Sequence, residues 1–148
     1  MNKIIKCQNL DYSYNDGKKE TSVLNTLNLN IGLGESIAIL GQSGCGKSTL
    51  LNLLGGIDKP SSGKVLLNNT NLATLNETKI TQLRAQHLGF VYQFHHLLKD
   101  FSALDNVALA LLIRGDNKRV ANTKAKELLG KIGLENRLNH RPSELSGG

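Results

Sequence analysis

Gly41-Gln42-Ser43-Gly44-Cys45-Gly46-Lys47-Ser48 decides the reading of this chain, because it satisfies the phosphate-loop pattern G-x-x-x-x-G-K-[ST]. Just before it, Ser36-Ile37-Ala38-Ile39-Leu40 is a short apolar run ending at Gly41, which predicts a central strand covered on both faces. Just after it, Lys47 to Leu54 suits a helix, closed by Gly55-Gly56 where a left-handed cap is cheap. Strand, glycine loop and helix in that order give the motif its context. The glycines let consecutive backbone N–H groups turn inward as an anion nest, and the helix N-terminus adds about half a positive charge aimed the same way. Lys47 can reach the β- and γ-phosphates of a nucleotide as a mobile point charge, and the Ser48 hydroxyl is placed to ligate Mg²⁺. The phosphate-binding candidates are therefore Gly41, Ser43, Gly44, Cys45, Gly46, Lys47, Ser48 and Thr49. A thiol beside a lysine at a helix start can be reactive, but the plainer reading of Cys45 is a small residue that fits.

Outward from the loop, Leu27-Asn28-Leu29-Asn30-Ile31 alternates with period two, as expected of a strand with one buried face. Lys64 to Leu67 predicts another strand, between a turn at Pro60-Ser61-Ser62-Gly63 and a second turn at Asn68-Asn69. Thr74 with Glu77 reads as a capping box for a helix carrying Ile80 and Leu83. Leu88-Gly89-Phe90-Val91-Tyr92 predicts a strand that delivers Gln93 at its end. Ser102 with Asp105 forms a second capping box before an apolar helix through Val107 to Ile113, and a further helix is expected from about Val120 to Leu129.

Composition sets the frame. The chain has 148 residues, 39% of them hydrophobic, enough for one domain with a core that requires neither disulfides nor a structural metal. Its longest strongly apolar run, Val107 to Ile113, is far below the ~20 residues of a membrane span, and charged Lys3 and Lys6 interrupt any signal-peptide core; a soluble cytoplasmic protein is expected. Cys7 and Cys45 fit a reducing compartment. The net charge of +6 is spread thinly, with no basic run longer than the two residues of Lys18-Lys19 and no Trp, so no stripe for nucleic acid is legible. His95-His96 point in different directions on either regular element and lack further ligands, which argues against a metal site.

Among phosphate-loop proteins a GTPase is disfavoured, because Asn117-Lys118 is followed by Arg119-Val120 rather than completing a base reader, and no Asp has a Gly three residues on. The dinucleotide fingerprint fails as well, since Gly44-Cys45-Gly46 runs into Lys47-Ser48-Thr49. Leu145-Ser146-Gly147-Gly148, with Gln93 between it and the phosphate loop, resembles the start of the signature of ABC-transporter ATP-binding subunits. Three ordered motifs are far more specific than one. Within that family, Gly89 to Leu98 and Asn139 to Glu144 look like the branch that releases lipoproteins from the bacterial inner membrane. Cys45 where many members carry Ser, and Lys99 where Pro is expected, are departures that remove no phosphate ligand.

The resemblance implies an α/β P-loop NTPase core with an antiparallel β subdomain and a helical subdomain. The nucleotide-binding core and β subdomain would be residues 1–92, and the Q-loop and helical subdomain residues 93–148. It implies ATP and Mg²⁺ as cofactors, Tyr14 as the aromatic that stacks on adenine with Tyr12 as competitor, and Gln93 as a catalytic and Mg²⁺-linked residue. Ser146, Gly147 and Gly148 would face the nucleotide of a second copy. Permease subunits would be the other partners, docking on Phe94, Leu97, Leu98 and Phe101 with Asp100 at the rim, and the location would be the cytoplasmic face of the inner membrane. The family's second half supplies an apolar strand ending in Asp-Glu, a D-loop and a switch histidine. These residues hold no adjacent acidic pair, so the chain ending at Gly148 is expected not to hydrolyse ATP alone. Two other readings stay open at this level: an ABC ATPase of macrolide or peptide efflux, and a binding module without catalysis.

Overall fold

The computed structural model describes residues Lys3–Leu145 and divides the chain into two compact units, Met1–Arg84 and Ala85–Gly148. In the first unit, β1 (Lys3–Asn15) and β2 (Glu20–Gly32) pair antiparallel around a tight loop. There the Asp16 carboxylate accepts hydrogen bonds from the backbone N–H groups of Lys18 and Lys19. On its other side β1 pairs antiparallel with β3 (Ser62–Leu67), and β3 pairs with the two residues of β4 (Thr70–Asn71), giving the order β2-β1-β3-β4. The β3–β4 connection is Asn68-Asn69, with φ of 47° and 63°, the pair of left-handed residues that suits the twist of a hairpin. The expected alternation in β2 is realised: Leu27, Leu29 and Ile31 are partly covered while Asn28 and Asn30 are exposed.

Two irregularities let β1 serve both neighbours. Asn9 and Thr26 have left-handed backbones, at φ 45° and 48°, where the ladder slips. The Asp11 carboxylate spans the slip, accepting from Thr26 N–H at 2.6 Å through one oxygen and from the Ser62 hydroxyl at 2.6 Å through the other. The core of this unit sits between sheet and helix: Cys7, Leu10, Leu24, Val65 and Leu67 are buried on the strands, and Leu50, Leu53 and Leu54 on α1 (Lys47–Leu54). Each buried leucine contributes roughly 1.5–3 kcal/mol over leaving it in water. Gly56, at φ 64°, is the left-handed residue after α1, not Gly55, which stays right-handed. A Cβ on Gly56 would come within 2.7 Å of Ile80 Cδ1. Ile80 lies on α2 (Glu77–His87), and the Arg84 guanidinium donates to the Gly56 carbonyl. The cap of α2 is Asn76, whose side-chain oxygen accepts from Lys79 N–H; the Thr74 hydroxyl instead donates to the Asn71 carbonyl in the preceding 3₁₀ turn, so the expected Thr74–Glu77 box does not form.

The second unit is built on α3 (Ala103–Arg114) and α4 (Lys118–Lys131), which meet through Ala108, Ala121 and Ala125, flanked by Leu104, Val107 and Leu111. Local signals placed both helices. Ser102 and Asp105 make the reciprocal capping box, Gly115 ends α3 at φ 102°, and the Asn117 side chain caps α4 through Val120 N–H.

Two expected strands are absent. Ser36–Leu40 and Leu88–Tyr92 form no ladder with any segment among the described residues, and both are open to solvent, with Leu40 at 89% and Val91 at 102% exposure. A helix satisfies its own N–H and C=O groups, whereas a central strand exists only through neighbours on both sides.

Candidate functional site

The phosphate loop owes its shape to backbone constraints. Gly44 and Gly46 have φ of 80° and 94°, a region open to glycine at little cost. Gly46 is held by space as well, because a Cβ there would lie 2.6 Å from Val23 Cγ1 on β2. Gly41 leaves room for a neighbour: its missing Cβ would sit 2.5 Å from Cys45 Sγ. Gly46 caps α1 through its carbonyl, which accepts from Leu50 N–H at 2.8 Å, but offers no side-chain oxygen to the first amides of the helix. No acidic residue occupies the first turn of α1 either. The helix thus begins with open donors and the positive end of its dipole uncompensated, which is the electrostatic requirement for an anion site.

Lys47 folds back over this loop. Its ammonium donates to the carbonyls of Gly41 at 2.9 Å and Gln42 at 2.7 Å, and lies 3.7 Å from Cys45 Sγ. The cation is therefore positioned above the loop by the loop's own carbonyls. Ser43, Gly44 and Cys45 are exposed along the rim, and Ser48, also exposed, presents its hydroxyl at the start of α1. An exposed hydroxyl oxygen of this kind suits a hard cation such as Mg²⁺.

Behind the loop Thr49 is buried and its hydroxyl is hydrogen-bonded to the hydroxyl of Tyr14 on β1, at 3.1 Å. Tyr14 is half exposed, and Tyr12 meets it edge to face, with ring centroids 5.0 Å apart and planes at 89°. Tyr12 is the more covered of the two; partial burial, and after it the Asp58 carboxylate, push its hydroxyl pKa upward. The buried Cys7 thiol is pushed up to about 11 by desolvation, which keeps it protonated and inert. The structure thus brings Tyr14, Thr49 and the Gly41–Ser48 loop together in the first unit. Sequence reading missed the Tyr14–Thr49 bond, the Val23 wall behind Gly46 and the Gln42 carbonyl, because each depends on long-range packing with no local pattern.

Gln93 belongs to the second unit, exposed in an irregular segment rather than at a strand end. Phe94, Leu97, Leu98 and Phe101 follow it and are all exposed, Phe94 at 68%. Asn106 of α3 holds this turn: its side-chain oxygen accepts from Leu98 N–H, and its NH₂ group donates to the carbonyls of Leu98, Phe101 and Ser102. Ser146, Gly147 and Gly148 lie outside the described residues.

Comparison with known proteins gives a consistent result. The family model for the ABC transporter matches residues 24–148. The lipoprotein-releasing system ATP-binding protein LolD of Chromohalobacter salexigens is 50% identical over 145 residues, covering 98% of this chain and 61% of that protein. LolD of Colwellia psychrerythraea is 49% identical over 148 residues, covering 100% of this chain and 57% of that protein. LolD of Saccharophagus degradans is 52% identical over 145 residues, 98% of this chain and 64% of that protein. The chain thus spans about three-fifths of the length of the curated relatives it matches. Among solved structures, the dimeric ATP-binding cassette MJ0796 in a post-hydrolysis state bound to ADP and Pi superposes with a TM-score of 0.85 at 36% identity, covering 97% of this chain and 63% of that one. A second dimeric structure of MJ0796, described as a bacterial ABC transporter cassette, gives the same TM-score at 37% identity and the same coverage.

Proposed function

The chain belongs to the ABC transporter ATP-binding family, and from that premise we propose that it grips Mg-ATP for a transporter that releases lipoproteins from the bacterial inner membrane. The observation that carries the nucleotide reading is the Lys47 ammonium held over an uncapped helix start whose amides have no competing acid. Gly41, Ser43, Gly44, Cys45 and Gly46 would supply the backbone nest, Thr49 the next helical amide, and Tyr14 the face for adenine. Ser48 would offer an oxygen ligand for Mg²⁺, which when bound neutralises charge developing on the phosphates, and Gln93 is proposed as the Q-loop glutamine. These 148 residues contain no adjacent acidic pair, so the carboxylate that would activate water is not among the groups assigned here, and the polypeptide 1–148 alone is proposed not to turn over ATP.

Residues 93–148 are proposed as the Q-loop and helical subdomain. The lipoprotein assignment rests on the roughly 50% identity to the LolD proteins. Ser146, Gly147 and Gly148 would close on the nucleotide of a second copy, and permease subunits would hold the protein at the cytoplasmic face of the membrane. No helix among the described residues is long and apolar enough to cross a membrane, in keeping with attachment through partners.

Lys47→Ala tests the nucleotide reading. The substitution removes the side-chain cation of the nest, and charge-assisted hydrogen bonds to phosphate are about twice as strong as neutral ones. Equilibrium titration should show ATP binding lost; an unchanged affinity would overturn the assignment.

A further inference from the structure

We infer that Thr49 is a positioning residue for nucleobase recognition: its buried hydroxyl fixes the ring of Tyr14 at a set reach from the phosphate loop. The inference rests on the proposed role of Tyr14 as the adenine platform and adds what holds that platform in place. Thr49 is 7% exposed, and a buried hydroxyl needs a partner. A helical threonine commonly finds one in the carbonyl a turn earlier. Here the hydroxyl reaches across to Tyr14 Oη instead, at 3.1 Å.

The consequence for Tyr14 is restraint on both sides of its ring axis. Its side chain lies near the end of β1 and is 49% exposed, so packing alone leaves it free to swing among rotamers. Tyr12 supports the ring by its edge, at a centroid distance of 5.0 Å, and the Thr49 hydroxyl pins its far end. Thr49 lies two residues after Lys47 on the first turn of α1. The same helical turn therefore carries the phosphate grip and the pin for the base platform. A nucleotide that engages both must match one fixed spacing, and the hydrogen bond transmits that spacing from helix to strand. Adenine is not touched by Thr49; its effect runs through Tyr14.

The experiment measures, on the intact protein, the ratio of ATP affinity to inorganic triphosphate affinity, which isolates what the base and sugar add to the phosphates. Tyr14→Phe and Thr49→Val each delete the same hydrogen bond from opposite ends while keeping ring and volume. Each should lower the ratio by the same factor, about two- to tenfold. The double substitution should cost no more than either one, and Thr49→Ser should restore the ratio. Tyr14→Ala should lower it further, by roughly five- to 150-fold, the size of a lost base stack. If Tyr14→Ala lowers the ratio and neither Tyr14→Phe nor Thr49→Val does, Thr49 does not position the ring and the inference fails while the adenine reading stands. Additive losses, or no rescue by Thr49→Ser, would overturn it equally. If Tyr14→Ala leaves the ratio unchanged, the adenine reading itself falls and the inference with it. Should Thr49→Val not fold, Thr49→Ala takes its place in the same cycle with Tyr14→Phe.

Discussion

At the scale of single residues, Gly46 and Asp11 show two ways in which one position controls a larger geometry. Gly46 is required twice, by its left-handed backbone and by the Val23 methyl that fills the space of a side chain. The first requirement is visible in the motif G-x-x-x-x-G-K-[ST]; the second is not, because Val23 lies 23 positions away on β2 and meets Gly46 only through the fold. Asp11 carried no motif at all, yet its carboxylate ties β2 to the start of β3. The hydrogen bond from Ser62, then that from the Thr26 backbone, holds its pKa below the ordinary value of 3.8. A lowered folded-state pKa means the stabilisation is complete above the unfolded value and is lost as pH falls through the folded one. Asp11→Asn should therefore lower the melting temperature at neutral pH, and the gap to the parent protein should close as the pH is taken below 3.8; thermal melts across that range check it. A gap of constant size down to the lowest pH would mean that the charge is irrelevant.

Elements differed in how far sequence could place them, and the difference follows from where their hydrogen bonds go. Helices α3 and α4 were legible because Ser102, Asp105, Gly115 and Asn117 solve the problem of the helix ends within a few residues. The Thr74 cap failed within the same logic, since Asn76 stands two residues nearer to α2 and its side-chain oxygen takes the Lys79 N–H, while the Thr74 hydroxyl turns back to the Asn71 carbonyl. Ser36–Leu40 and Leu88–Tyr92 have the composition of buried strands, but composition cannot supply the ladder partners that make a strand. Tyr14 was legible as a candidate; its pin by Thr49 was not, because the two are 35 positions apart. Asn106 is the element-scale counterpart: one amide holds the turn from Leu98 to Ser102 against the start of α3 through four hydrogen bonds. Asn106→Ala should destabilise the protein by at least about 2 kcal/mol, taking roughly 0.5 kcal/mol, the low end of the net range, for each of its four hydrogen bonds. Asn106→Asp should be no better, because it turns a carboxylate oxygen toward three carbonyls. Denaturant titrations would measure both, and a neutral result for the aspartate would show that the donors do not matter.

At the scale of the whole molecule, the telling feature among the described residues is a cluster of exposed apolar side chains. Phe94, Leu97, Leu98 and Phe101 are exposed on a turn that the Asn106 side chain holds. Ordered, exposed apolar clusters of this kind mark contact surfaces. If permease subunits bind there, Leu98→Glu should leave the melting temperature and ATP affinity of the intact protein unchanged while abolishing co-purification with those subunits. Unfolding, or continued co-purification, would remove Leu98 from the interface. The sheet behaves in the opposite way. Its outermost strands are β4, only two residues long, and β2, whose run is broken where Thr26 turns left-handed and gives its N–H to Asp11. A short margin on one side and an interrupted one on the other offer little template for a further chain to add itself strand by strand. Crowded or stored protein should therefore not grow cross-β fibrils from the edges of this sheet.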